Sequence, residues 1–235
     1  MNATWTIAKR EFGAYFKSPV AYIVLVAFVG LNLFLFFNSF FLVRTASLES
    51  FFGGMPFLFL FFGPAIAMRL LAEERGSGTI ELLLTMPVRD SQVVLGKFLA
   101  AVALFAVGLG LTLPVVYTVG SLGPLDYGAT FAGYIGALLL GATYLAVGLF
   151  ASAMTKNQIV AFIVGLAICL GLYLLGIFFQ SGGSIGPILQ YFSPQFHFQK
   201  IARGVIELRN VVYYVSIICA LLLLATQVLE SRKWR

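Results

Sequence analysis

Residues 72–90 read AEERGSGTIELLLTMPVRD, and this stretch decides the fold. It is a long charged interruption between two segments that are each apolar enough to cross a bilayer. Glu73, Glu74, Arg75, Glu81, Arg89 and Asp90 all fall inside it. Gly76-Ser77-Gly78 ends any helix arriving from Leu71, because glycine is costly in a helix interior. Thr79 can cap a new start, and Glu81 then lies in a first turn, where a negative charge suits the helix dipole. Met86-Pro87 stops that helix, since the residue before proline avoids the α region. The result is a short helix, Thr79–Thr85, carrying Ile80, Leu82, Leu83 and Leu84. A helix this short and apolar needs lipid or a protein groove. It is either a membrane-surface loop or a docking helix for a soluble partner. The acidic groups favour docking, because they gain nothing from an anionic leaflet.

Outward from this stretch the chain is lipid-like. Of its 235 residues, 60% are hydrophobic and only 10% are charged, which no soluble domain of this size requires. Apolar runs long enough to span recur along it, so the fold class is an all-α integral membrane protein with a single domain over residues 1–235. The net charge of +6 reflects orientation rather than nucleic-acid binding, since the basic residues do not cluster. Cys169 and Cys219 lie inside apolar runs as small hydrophobes. The single histidine, His197, has no neighbours at metal-ligand spacing. Gly96-Lys97 lacks the upstream glycine and the following hydroxyl of a phosphate loop. No Ser-His-Asp set can be assembled. The pattern therefore argues against an enzyme, a metal protein or a nucleotide-binding subunit.

Six spans are expected, over residues 20–43, 51–71, 92–119, 131–154, 159–179 and 211–229. Before them, Trp5, Ala8, Phe12, Tyr15 and Phe16 share one helical face, which predicts an amphipathic interfacial helix over residues 1–18. Asn32 and Asn38 in the first span should face protein rather than lipid. Pro56 and Pro64 predict kinks in the second, whose phenylalanines serve packing and lipid contact. Asp90 or Ser91 should cap the third span. Gly133, Ala137 and Gly141 form a small-residue row in the fourth, the pattern that lets helices pack closely.

Residues 180–210 are too broken to span and too apolar for a solvated loop. Within them, 184–203 predicts a re-entrant element of two short helices meeting near Ser193-Pro194, with Pro187, Phe192, Pro194, Phe196 and His197 as gate candidates. Broken backbone at membrane depth is tolerated only beside protein or a water-filled cavity. Of the 15 basic residues, only Arg44, Lys200, Arg203 and Arg209 fall on the side away from the termini. That bias predicts cytoplasmic termini and a cytoplasmic 72–90 segment.

KREFGAYFKSPVAYIV at the start, PAIAMRLLAEERGSGTIELLLTMPVRDSQVVLGKFLAA in the middle, and GLFASAMTKNQIVAF and IARGVIELRNVVYYVS later resemble an ABC-2 type transporter permease. The chain looks most like the gliding-motility-type permease subunit of that superfamily. The likeness runs nearly end to end, and the middle motif is its most specific part. It implies a multi-pass permease of the bacterial inner membrane that pairs with a second copy or a related permease. It also implies two separate ABC ATP-binding subunits, which would hold the ATP and Mg; no cofactor is expected in this chain. Transferred by resemblance, Thr79–Thr85 is the coupling helix that docks the ATPase, with Glu73, Glu74, Arg75, Thr79, Glu81, Leu82 and Leu83 at that interface. Export or outward extraction is the implied direction, and an accessory membrane protein is compatible with it. Two alternatives stand beside this reading. A scaffold or sensor would dock an ATPase without transport. A secondary transporter would need intramembrane carboxylates, and no Asp or Glu lies deep in any predicted span.

Overall fold

The computed structural model describes residues 3–43, 47–79, 88–178 and 186–231. Every regular element among them is helical. Among the described residues six stretches are long and apolar enough to cross a membrane: Pro19–Asn38, Glu49–Gly76, Asp90–Leu122, Tyr127–Met154, Gln158–Phe178 and Leu208–Glu230.

Helix α1 (Ala3–Lys17) precedes the first span, α2 (Pro19–Val43). The second span is divided into α3 (Glu49–Ala67) and α4 (Arg69–Gly76) by a break at Met68. Pro56 and Pro64 lie inside α3. The third span is also divided, into α5 (Asp90–Gly110) and α6 (Leu113–Leu122). Pro114 lies in the first turn of α6, where its missing N–H is not needed. Thr112 bridges this second break: its hydroxyl donates to Leu109 O at 2.6 Å and meets the Tyr134 hydroxyl at 2.9 Å.

The fourth span, α7 (Tyr127–Met154), is the centre of the bundle, and every residue from Leu140 to Leu149 is buried. Asp126 caps it, accepting from Ala129 N–H at 3.0 Å. Helices α3, α5, α8 (Gln158–Phe178) and α11 (Leu208–Glu230) pack around it. Between the last two are α9 (Gly186–Tyr191) and α10 (Pro194–Ala202).

Small residues make this enclosure possible. The rings of Phe52 and Phe105 fill the space where Gly133 and Gly141 lack side chains, and Ala137 is wholly buried between those levels. A close approach of helix backbones lies elsewhere. A Cβ on Gly148 would stand 2.7 Å from Ala67 Cβ and 3.0 Å from Pro64 Cα, and one on Gly63 would stand 2.8 Å from Tyr144 Cβ. Phe59 meets Phe105 edge-on at 4.8 Å and Phe28 at 5.9 Å, tying α2, α3 and α5 together.

Two expectations need correction. Asn32 is buried, but Asn38 is exposed, so only one of the two faces protein in this chain. Neither Asp90 nor Ser91 caps α5: Arg89 holds the cap position, and its N–H donates to the Gln92 side chain at 3.1 Å. The phenylalanines of α3 divide by face in keeping with packing and lipid contact, with Phe51, Phe52 and Phe59 buried and Phe57 and Phe61 exposed.

Candidate functional site

The charged end of the bundle is built on α4, which carries the second span beyond its apolar part. Arg69 and Glu73 are one helical turn apart and form a two-pronged pair, Nε–Oε2 at 2.9 Å and Nη2–Oε1 at 3.2 Å. Both are partly exposed, so the pair contributes at most about 1 kcal/mol. Glu74, on the neighbouring face, reaches Lys97 of α5 at 2.7 Å. Lys97 also meets Glu11 of α1 at 3.4 Å and is only 2% exposed. One ammonium therefore joins α1, α4 and α5 where none of the three could seat it alone. A charge taken from water is tolerated only with such partners.

Helix α1 reaches this cluster because Gly96 leaves room: a Cβ there would stand 2.8 Å from Ile7 Cγ2. Phe12, Tyr15 and Phe16 pack onto the core, whereas Trp5 on the same stripe is exposed. Burial, reinforced by Glu11 and partly opposed by Arg69, pushes the Tyr15 hydroxyl above its ordinary pKa. A cavity of about 390 Å³ lies between α1, α2, α3, α4 and α5, with Val24, Ile66 and Leu104 on its apolar wall and Arg69, Glu74 and Lys97 at its charged edge.

The other side of α4 is fixed to α7. Arg75 is buried and donates from Nη1 to Ala153 O. The Ser152 hydroxyl accepts from Leu71 N–H at 3.1 Å and Ala72 N–H at 2.9 Å, and donates to Met68 O at 2.9 Å. Beyond Gly76, the Ser77 hydroxyl bonds Glu73 O at 2.9 Å and meets the Thr79 hydroxyl at 2.9 Å; Thr79 is exposed. Gly78 has φ +75°, a left-handed turn that suits glycine. Glu81, Leu82 and Leu83, with most of the expected helix Thr79–Thr85, lie outside the described residues. The structure thus brings Glu73, Glu74, Arg75 and Thr79 to one end of the bundle.

At the opposite end, Ser193 precedes α10 and Pro194 opens it. His197 is wholly buried. Its Nε2 lies 2.9 Å from Tyr191 O, which can only accept, and its Nδ1 lies 2.7 Å from the Asn210 side chain. The ring stacks on Tyr213 at 3.9 Å. His197 thereby joins α9, α10 and α11. Phe192 is exposed, and Phe196 is half-buried under the Lys200 ammonium, 4.3 Å from its ring centre. Pro187 lies in α9.

Lys97 and Ser152 were not singled out by sequence reasoning. A lone ionisable residue inside an apolar span is a signal that could have marked Lys97. Ser152, one hydroxyl in an alanine-rich run, carries no such signal. No cluster of metal-ligating residues occurs among the described residues.

A family model described as ABC-2 family transporter protein matches residues 41–229. No curated protein matches the chain.

Proposed function

Since the chain belongs to the ABC-2 family of transporter membrane proteins, whose ATPase is a separate protein, we propose that its charged end receives that ATPase and turns nucleotide-driven movement into opening of a transmembrane path. The chain itself is the non-catalytic membrane component of an ATP-binding cassette transporter. The observation that carries the proposal is the anchoring of α4. Buried Lys97 ties it to α1 and α5, and buried Arg75 ties it to α7, so a push on α4 reaches three other helices.

In this reading residues 72–90 face the cytoplasm, as the basic-residue bias suggests. Thr79, Glu81, Leu82 and Leu83 meet the ATPase, and Glu73, Glu74 and Arg75 connect that contact to the bundle. Two ATPase subunits carrying ATP and Mg act on a pair of permeases, a second copy or a related chain, in a bacterial inner membrane. The amphipathic pattern of α1 suits a place at the membrane interface. The paired short helices α9 and α10 suit a re-entrant gate at the outer end of the path, and export is the direction. The gliding-motility-type subfamily rests on the quoted motifs. A substrate moves only if its affinity differs between the two states of the path.

The test is Leu83→Glu. Residue 83 lies in the charged interruption rather than in a span, so the substitution carries no intramembrane penalty. It removes apolar burial in a docking groove worth about 1.5–3 kcal/mol. The variant should insert normally yet co-purify less of its ATPase. Unchanged co-purification and unchanged stimulation of ATP hydrolysis in lipid would refute the proposal.

A further inference from the structure

The break between α3 and α4 is where a membrane helix turns into a charged arm. In a continuous α-helix the Leu71 N–H would donate to Ala67 O. Here it bonds the Ser152 hydroxyl instead, at 3.1 Å, and the same hydroxyl accepts from Ala72 N–H and donates to Met68 O at 2.9 Å each. A side chain inserted into the backbone ladder is a recognised cause of a sharp bend. Ser152 is fully buried, so water does not compete for these groups.

The two sides of the break are held differently. On the α3 side, Met68 N–H bonds Pro64 O at 2.8 Å, and Gly63 and Pro64 press against Tyr144 and Gly148 of α7. Gly148 is one helical turn before Ser152, so the clamp and the inserted hydroxyl share a face of α7. Gly165 of α8 closes on Pro64 from a third direction. On the α4 side Arg75 donates to Ala153 O, Glu74 pairs with Lys97, and Gly76 lies against the Lys156 carbonyl, where a Cβ would stand 2.8 Å from the oxygen. These contacts hold the far end of the arm. Its root is set at the backbone, and there the inserted group is the Ser152 hydroxyl.

We infer that Ser152 is the positioning residue of the α3–α4 joint: its hydroxyl holds the ladder open, sets the angle of α4 to the membrane span, and defines the rest position from which the arm is driven. The inference rests on the reading of α4 as the arm that meets the ATPase. Without the hydroxyl, Leu71 N–H would bond Ala67 O, and the arm would straighten onto the axis of α3.

The test uses the full chain in lipid nanodiscs, with genetically encoded, non-thiol spin labels at Thr79 and Lys156, both exposed. An eight-residue arm is about 12 Å long at 1.5 Å per residue, and a bend of about 20° displaces its end by about 4 Å. Ser152→Ala should move the label distance by that amount, and Ser152→Thr, which keeps the hydroxyl, should restore it. Thr143→Val is the control: it removes a buried hydroxyl of α7 that bonds only Leu139 O within its own helix, and should leave the distance unchanged. Should the alanine variant not purify, Ser152→Cys takes its place with a smaller shift expected. An unchanged distance in the Ser152 variant overturns the inference, as does an equal shift in Thr143→Val. With the ATPase present, Ser152→Ala should keep co-purification but lose at least about fivefold of stimulated hydrolysis, the low end of ordinary coupling between sites. Unchanged stimulation despite a shifted distance overturns the positioning role. A shifted distance in a chain whose wild type binds no ATPase leaves the joint standing and refutes the proposed function instead.

Discussion

Replacing Lys97 by methionine keeps the length of the side chain and removes the charge that Glu11 and Glu74 share. At an effective dielectric of about 20, the attraction is about 6 kcal/mol at the 2.7 Å contact and about 5 kcal/mol at the 3.4 Å contact, before any cost of leaving water. Desolvation of a lysine only 2% exposed cancels much of this. The variant is governed by what remains: two carboxylates facing each other's elements with no cation between them. Removing one partner of a buried pair costs about 3–5 kcal/mol. Both glutamates are about a fifth exposed, so water recovers part of that, leaving about 2–3 kcal/mol. For a chain of this length the loss should lower the melting temperature by about 4–12 °C, followed by intrinsic fluorescence in lipid nanodiscs. Adding Glu74→Gln to Lys97→Met should recover part of the loss, because one of the two carboxylates left without the cation disappears with it. A melting point within about 1 °C of wild type, or a double variant worse than the single one, would refute the account of Lys97 as the tie between α1, α4 and α5.

Gly141→Val puts a side chain where the Phe105 ring stands; overpacking of this kind costs about 1–3 kcal/mol, and the same thermal melt should show it. Phe105→Ala in the Gly141→Val background should return part of the loss. On a background free of Cys169 and Cys219, a membrane-impermeant maleimide should react quickly with cysteine at Arg209, which is exposed, and slowly with cysteine at Phe198, which is buried. Equal, fast reaction at both would make residues 184–203 an ordinary solvated loop. The purified chain without its ATPase should bind a fluorescent ATP analogue no more than empty nanodiscs do, and stoichiometric binding would contradict the separation of path and motor.

The spans were legible because each is a long apolar run whose ends carry charge, glycine or proline. The helical pair at 186–202 was legible from Pro187 and Pro194 punctuating an apolar segment. The divisions inside spans were not. Pro114 pointed to the far end of the third span, but the ladder breaks at Leu111–Thr112, where the Thr112 hydroxyl finds Tyr134 on another helix. The break at Met68 is set by Ser152, far away in sequence, and no local propensity encodes a long-range hydrogen bond. Lys97 looked like one more basic residue because Glu11 and Glu74 meet it only in the folded chain. The row Gly133, Ala137, Gly141 was visible, but not that rings rather than helix backbones would fill it. The close contact at Gly63 and Gly148 depends on the rotation of α3 about its axis, which composition does not report.

The central place of α7 has a consequence for how the protein is made. Its neighbours come from both sides of it in the chain: α3 and α5 are synthesised before it, and α8, α10 and α11 after it. One wall of its surroundings is therefore absent until the ribosome has passed residue 208. Tyr214 of α11 is fully buried, and its hydroxyl donates to Pro194 O at 2.6 Å, so the final span also fastens α10. Up to that moment the flank of α7 that α11 will cover must face lipid or the insertion machinery. The arrival of α11 thus acts as a lock rather than one more step in a gradual accretion of helices, and a chain halted before it would display the open flank by which membrane proteases recognise unfinished clients.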